Sequence, residues 1–137
     1  MKASLQHAGS ALAIIFAVLS MVFAVSGCSS LSGAEVRDAA RLTAGGDARA
    51  GRVDIRRYGC YTCHTIAGVP GARGLVGPPL NGIGNRAFIA GELPNTPENL
   101  MHWIQHPHSV EPHTLMPEMN VTEKDSRDMA AYLYTLH

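Results

Sequence analysis

Cysteine is scarce in this chain: three residues among 137, Cys28, Cys60 and Cys63, with a single CxxC pair. A structural zinc site takes about four nitrogen or sulfur ligands, usually in two paired clusters, and no second pair exists here. A thioredoxin-like redox pair belongs beside a strand-helix-strand pattern, yet the 25 residues after His64 are rich in Gly and Pro and show no alternating strand. Long apolar runs are also missing. The longest, Ala11–Val25, has 15 residues, short of the ~20 that cross a bilayer. Nor does one sign of charge dominate, since 11 Lys+Arg balance 11 Asp+Glu, and that gives no electrostatic basis for binding nucleic acid. Internal repeats and low-complexity segments are absent.

What is present is Cys60-Tyr61-Thr62-Cys63-His64. Two thiols at this spacing can add across the two vinyl groups of haem to form thioethers. The adjacent imidazole can then reach the iron from the proximal side. With the zinc and redox readings disfavoured, covalent attachment of haem c through Cys60 and Cys63, with His64 as an iron ligand, is the expectation.

Residues 1–27 read as an export signal: Lys2 supplies the positive start and Ala11–Val25 the apolar run. The run ends in Val25-Ser26-Gly27-Cys28, which resembles the bacterial lipobox, whose cysteine is acylated and becomes the mature N-terminus. Cys28 is therefore expected to be a lipid anchor and not a ligand, with the protein exported to the bacterial cell envelope, on the periplasmic or outer face of a membrane. Residues 28–46 read as a lipid-anchored tether, a flexible coil with a helix-tolerant centre at 34–42, and 47–137 as one domain. The 110 residues left after the signal make a thin hydrophobic core unless a large group fills its centre. Their formal charge is −1, unevenly spread: residues 47–90 carry six Arg against two Asp, and 91–137 carry seven acids against Lys124 and Arg127.

Three principal helices are expected. Asp47 can cap a first, running to about Tyr58, with Gly51 and Ile55 on one face and Gly59 as terminator. Thr96-Pro97 is a strong start for a second, with Leu100, Trp103 and Ile104 at helical spacing and Pro107 as its stop. Thr122-Glu123-Lys124-Asp125 resembles a capping box for a third, with Met129, Leu133 and Leu136 on one stripe and Tyr132 beside it. His64–Asn95 is mostly loop. Pro107, Pro112 and Pro117 recur every five residues, which favours an extended strap over a regular helix. The class is all-α, with long loops that need a cofactor to organise them.

Taken together, residues 47–137 resemble a class I cytochrome c, and most closely the cytochrome c domain of haem-copper oxidase subunit II. The resemblance implies a cytochrome c fold of three main helices and long loops wrapped around one covalently bound haem. It implies that Gly51 lets the last helix cross closely near Tyr132. In Gly77-Pro78-Pro79-Leu80 it makes the Pro78 carbonyl the acceptor for His64 Nδ1–H, a bond that orients the ring. It places Arg86 near a haem propionate, Trp103 on the helix flanking the distal pocket, and Met116, followed by Pro117, at the distal ligand position. Met119 competes with Met116, and His108 and His113 are outsiders. Pro117 biases Met116 towards extended geometry, whereas Met119 lies beside Thr122, where it is expected to pack under the last helix. His102 and His106, one helical turn apart, read as solvated or capping residues in preference to a metal site. Whether Tyr58 and Arg73 touch the haem edge is left open.

The functional expectation is a membrane-anchored single-electron carrier with His/Met ligation and no enzymatic activity. Its partners are redox proteins such as a terminal oxidase or a quinol-oxidising complex, and not nucleic acid. No copper-binding domain or membrane hairpin precedes residue 47, so a cytochrome separate from the oxidase is expected. The alternatives are a haem sensor or ligand-binding protein with a labile distal site, and an electron-entry subunit held permanently in an oxidase or reductase.

Overall fold

The computed structural model describes residues 31–137. The export signal and Cys28 lie outside them. Among the described residues no helix is long and apolar enough to cross a membrane.

Among the described residues five helices carry the architecture: α1 Gly33–Leu42, α2 Ala48–Arg57, α3 Pro97–Gln105, the single turn α4 Pro107–Val110, and α5 Glu123–Leu133. Short 3₁₀ turns occupy Cys60–Thr62 and Ile83–Asn85. The only strands among the described residues form a two-stranded antiparallel ladder, β1 Phe88–Ile89 and β2 Leu93–Pro94, pairing Phe88 with Pro94 and Ile89 with Leu93. The all-α class holds.

The centre of the fold is the crossing of α2 and α5. Asp47 caps α2 by accepting from the Arg49 and Ala50 amides, and α2 ends on Gly59, whose φ of +79° is left-handed and favours glycine. Thr122 caps α5 by accepting from the Asp125 amide, but the box is not reciprocal, because the Asp125 carboxylate goes to Tyr58 Oη at 2.8 Å. At the crossing, a Cβ on Gly51 would stand 2.7 Å from Met129 N and closer still to the Asp128 carbonyl. The close approach therefore falls one turn earlier than the expected position near Tyr132. Behind it Met129, Tyr132, Leu133 and Leu136 are all buried, as is Ile55 on α2.

Two expectations change. Residues 33–42 are a helix and not flexible coil. Ser32 and Glu35 form a reciprocal capping box, and Leu31, Val36 and Ala39 pack into the core with α5 and α2. Thr43 follows, 1% exposed, its hydroxyl donating to the Ala39 carbonyl at 2.7 Å. The docked helix gains from burial what an isolated ten-residue helix lacks in water. Among the described residues α1 thus joins the three expected principal helices, all of which are present. The strap is also not wholly extended, because Pro107 sits at the first position of α4, where proline's missing N–H costs nothing.

Candidate haem site

Gly59 reverses the chain out of α2 and the 3₁₀ turn follows, with Cys63 N and His64 N both donating to the Cys60 carbonyl, at 3.3 and 3.0 Å. One turn of backbone therefore carries Cys60, Cys63 and His64 to the same wall of an apolar cleft of about 510 Å³, a size within the ~300–1,000 Å³ of ligand and cofactor sites. The two cysteines form no disulfide with each other. Burial pushes the Cys60 thiol up to about 11, so it stays neutral, whereas redox-active CxxC pairs are marked by a lowered thiol pKa.

His64 is held from behind. Its Nδ1 lies 2.7 Å from the Pro78 carbonyl. A carbonyl only accepts, so Nδ1 carries a hydrogen and donates it, which leaves Nε2 as the ring nitrogen available to a metal. A Cβ at Gly77 would lie 2.7 Å from Nδ1 and 2.9 Å from Nε2, which makes glycine the residue that lets the backbone lie against the ring. The segment is tied to the cysteine turn by Gly77 N donating to Cys63 O at 2.8 Å, Leu80 N to Thr65 O at 2.9 Å and Thr65 Oγ1 to Gly74 O at 3.0 Å.

Other expected residues meet at the same cleft. Trp103 and Met116 line it, and so do Pro78 and Arg86. Arg86 is an exposed side chain whose Nη2 donates to the Pro79 carbonyl, so it also braces the loop that holds His64. Met116 and Met119 both line the cleft, but only Met119 packs against the buried core as well. Tyr58 lines it, and Arg73 does not. His108 and His113 are off it. His102 bonds Ser109 Oγ at 3.0 Å, and His108 engages Glu118 and Thr114. Among the described residues no three of the histidines come together as a metal cluster.

Sequence reasoning missed two residues that shape the site. Asn95 Nδ2 donates to the carbonyls of Ile83 (2.8 Å) and Arg86 (2.9 Å), while its Oδ1 accepts from Tyr134 Oη at 2.9 Å. It thereby ties the Arg86 loop to the end of α5. Burial pushes the Tyr134 phenol up to about 12, so it remains a donor. Asp125 is the second. The Tyr58 hydroxyl, then the Thr122 cap, hold its carboxyl below the usual range, and this fixes one wall of the cleft to α5. Neither residue carries a local signal beyond the Thr122 cap.

The donor set fits haem c on observations of this chain: two cysteine sulfurs, an imidazole held through Nδ1 by a backbone cradle, and a methionine thioether, all lining one apolar cleft. The rest of the chemistry is read from relatives. Residues 54–137 match the family model described as Cytochrome c. Cytochrome c oxidase subunit 2 of Alkalihalophilus pseudofirmus is 36% identical over 90 residues, 65% of this chain. The match spans 25% of that relative's length. No solved structure matches. On the family match, and with the CxxCH turn at the wall of its cleft, this chain belongs to the cytochrome c family, the electron-transfer proteins that hold haem c covalently.

Proposed function

We propose that this cytochrome is a lipid-anchored carrier of single electrons, not an enzyme, in which Cys60 and Cys63 would hold one haem c and His64 and Met116 would ligate its iron. The observation that carries the reading is that one apolar cleft is lined by both thiols, the cradled imidazole and a methionine that is not committed to the core. When bound, the haem supplies an iron that cycles between Fe(III) and Fe(II), and His/Met ligation places that couple at high potential.

The protein's own residues do the rest. Pro78 and Gly77 fix the imidazole's orientation, and the Nδ1–H bond raises its basicity. Ile55, Leu100, Ile104, Met129 and Leu133 line the cleft with apolar surface and exclude water. Arg86, which lines the cleft and stays exposed, can face a propionate. Trp103 supports the distal side. Met119, half-buried and packed on the core, serves as wall.

A terminal oxidase is the partner supported best, because the relative named above is an oxidase subunit. Acylated Cys28 in the cell envelope would keep the domain at the membrane where such a partner resides. The deciding experiment combines a haem stain after denaturing electrophoresis with spectra of the ferric protein. Haem should survive acid-acetone extraction. The weak charge-transfer band at the red end of the visible spectrum, diagnostic of a thioether on ferric iron, should be present in wild type and in Met119→Ala and absent in Met116→Ala. Loss of all haem on extraction refutes covalent attachment, and a band that persists in Met116→Ala refutes the distal assignment.

A further inference from the structure

We infer that the outward face of α2 is a docking surface for anionic phospholipid headgroups, an inference that rests on the reading of Cys28 as a lipid anchor. Helix α2 turns Ala48, Gly51, Asp54 and Ile55 inward. Arg49, Arg52, Val53 and Arg56, at i, i+3, i+4 and i+7, therefore share the opposite side. Val53 is 64% exposed at the middle of this face.

The four arginines of α2 are not equivalent. Arg57 bridges Asp54 and Asp125, at 2.9 Å to each, and lies over the Tyr58 ring, so its charge is compensated. Arg49, Arg52 and Arg56 pair with no carboxylate among the described residues. Of the acids at that end of the helix, Asp47 spends its Oδ1 on the Arg49 and Ala50 amides, and Asp128 accepts from the Asp47 amide at 2.8 Å and from Lys124 Nζ at 2.6 Å. Arg56 is also held in place before it meets a ligand. Its Nη1 donates to the Pro70 carbonyl and its guanidinium lies 4.9 Å over the Tyr61 ring. Pre-ordering of this kind lowers the entropy cost of binding.

Guanidinium forks match phosphate oxygens geometrically, and an exposed valine among them suits the boundary between headgroups and acyl chains. Chain length favours a membrane over an acidic protein. From Cys28 to Ser32, the cap of α1, is a step of four residues, at most about 14 Å when fully extended. A domain of this size has a radius of gyration of about 13 Å, so an acylated Cys28 keeps it beside the bilayer. There its uncompensated cations act within about one Debye length, ~8 Å, of anionic headgroups. Two of the three arginines, and the valine between them, also border a shallow groove closed by Pro70, which gives the headgroup region a concave seat.

The test is an arginine footprint on the full-length, haem-loaded protein as purified from membranes. The protein is mixed with vesicles of phosphatidylcholine alone or of phosphatidylcholine with phosphatidylglycerol, treated with phenylglyoxal, and read by peptide mass spectrometry. Arg49, Arg52 and Arg56 should react roughly fivefold or more slowly on the anionic vesicles, about what one basic residue contributes near such a surface. High salt should abolish the difference, and Arg86 should react equally on both. Equal rates at the three arginines, with the protein retained on both vesicles, overturn the lipid surface and leave the anchor standing. Failure to be retained on phosphatidylcholine overturns the anchor, while protection on the anionic vesicles still upholds the surface. Equal or stronger protection by soluble poly-glutamate overturns the proposal in favour of an acidic protein partner.

Discussion

Gly77→Ala should unseat the proximal histidine without straining the backbone. Gly77 does not have positive φ, so alanine carries no conformational penalty there. The cost arises from the methyl group, which would stand 2.7 Å from His64 Nδ1 and 2.9 Å from Nε2. Ordinary contact begins near 3.4 Å and His64 Cε1 lies closer still than Nδ1, so the ring or the backbone must retreat by about 1 Å. A shift of that size carries the Nδ1–Pro78 bond from 2.7 Å beyond the limit of hydrogen bonding. Overpacking costs about 1–3 kcal/mol and loss of the bond about 0.5–1.5 kcal/mol, together about 2–4 kcal/mol. For a domain of this size each kcal/mol is worth about 4–8 °C, so the midpoint should fall by roughly 8–32 °C. The reduction potential should rise, because an imidazole that no longer donates from Nδ1 is less basic and stabilises ferric iron less. Gly91→Ala is the comparison. It sits in the β1–β2 turn at φ +79° with nothing within 4 Å, so it should lose about 1–2 kcal/mol to backbone strain alone and leave the potential unchanged. Thermal melts and redox titrations of the haem-loaded proteins measure both. If Gly77→Ala melts no lower than Gly91→Ala and keeps the wild-type potential, the cradle has no hold on the histidine.

At the α2–α5 crossing, Gly51→Ala should be more damaging than any helix-propensity gain of ~1 kcal/mol can offset, because the new methyl meets the backbone of Asp128 and Met129 and neither can rotate away; a melt equal to wild type would refute the crossing geometry. Cys28→Ser should interrupt lipoprotein processing and move the protein out of the detergent phase, with haem attachment intact; a mature N-terminus other than acylated Cys28, found by mass spectrometry, removes the anchor. The Asp125 carboxyl is held low in the fold, chiefly by the Tyr58 hydroxyl, so its contribution to stability is present above the unfolded pKa of about 3.9 and lost as pH falls through the lower folded value. Tyr58→Phe removes that largest cause, and the loss of stability below about pH 4 should be shallower than in wild type. Parallel acid-unfolding curves would contradict this. Asp54 works in the opposite sense, since burial holds its carboxyl high; its favourable part is lost as pH rises through the folded value, and Tyr58→Phe leaves that part in place.

The local features of this protein were legible in its sequence because each is decided within a few residues. The starts of α2, α3 and α5 follow from Asp47, Thr96-Pro97 and Thr122, whose side chains or rings act on amides two or three positions away. The attachment turn is written in five consecutive residues. Even α1 carried a local signal, Ser32 and Glu35 as a capping box, but its small polar composition hid an apolar stripe that counts only once α5 lies beside it. Tertiary structure alone decided the rest. It joined Tyr58 to Asp125 across 67 positions and Tyr134 to Asn95 across 39, and of the two candidate ligands Met116 and Met119, both brought to one cleft, it committed only Met119 to the core. It also separated Arg57, compensated by Asp54 and Asp125, from three arginines on the same helix that pair with no acid. These outcomes depend on which distant groups desolvate one another, and sequence spacing carries no record of that; it enters only when α2 and α5 cross at a glycine that leaves no room for a side chain.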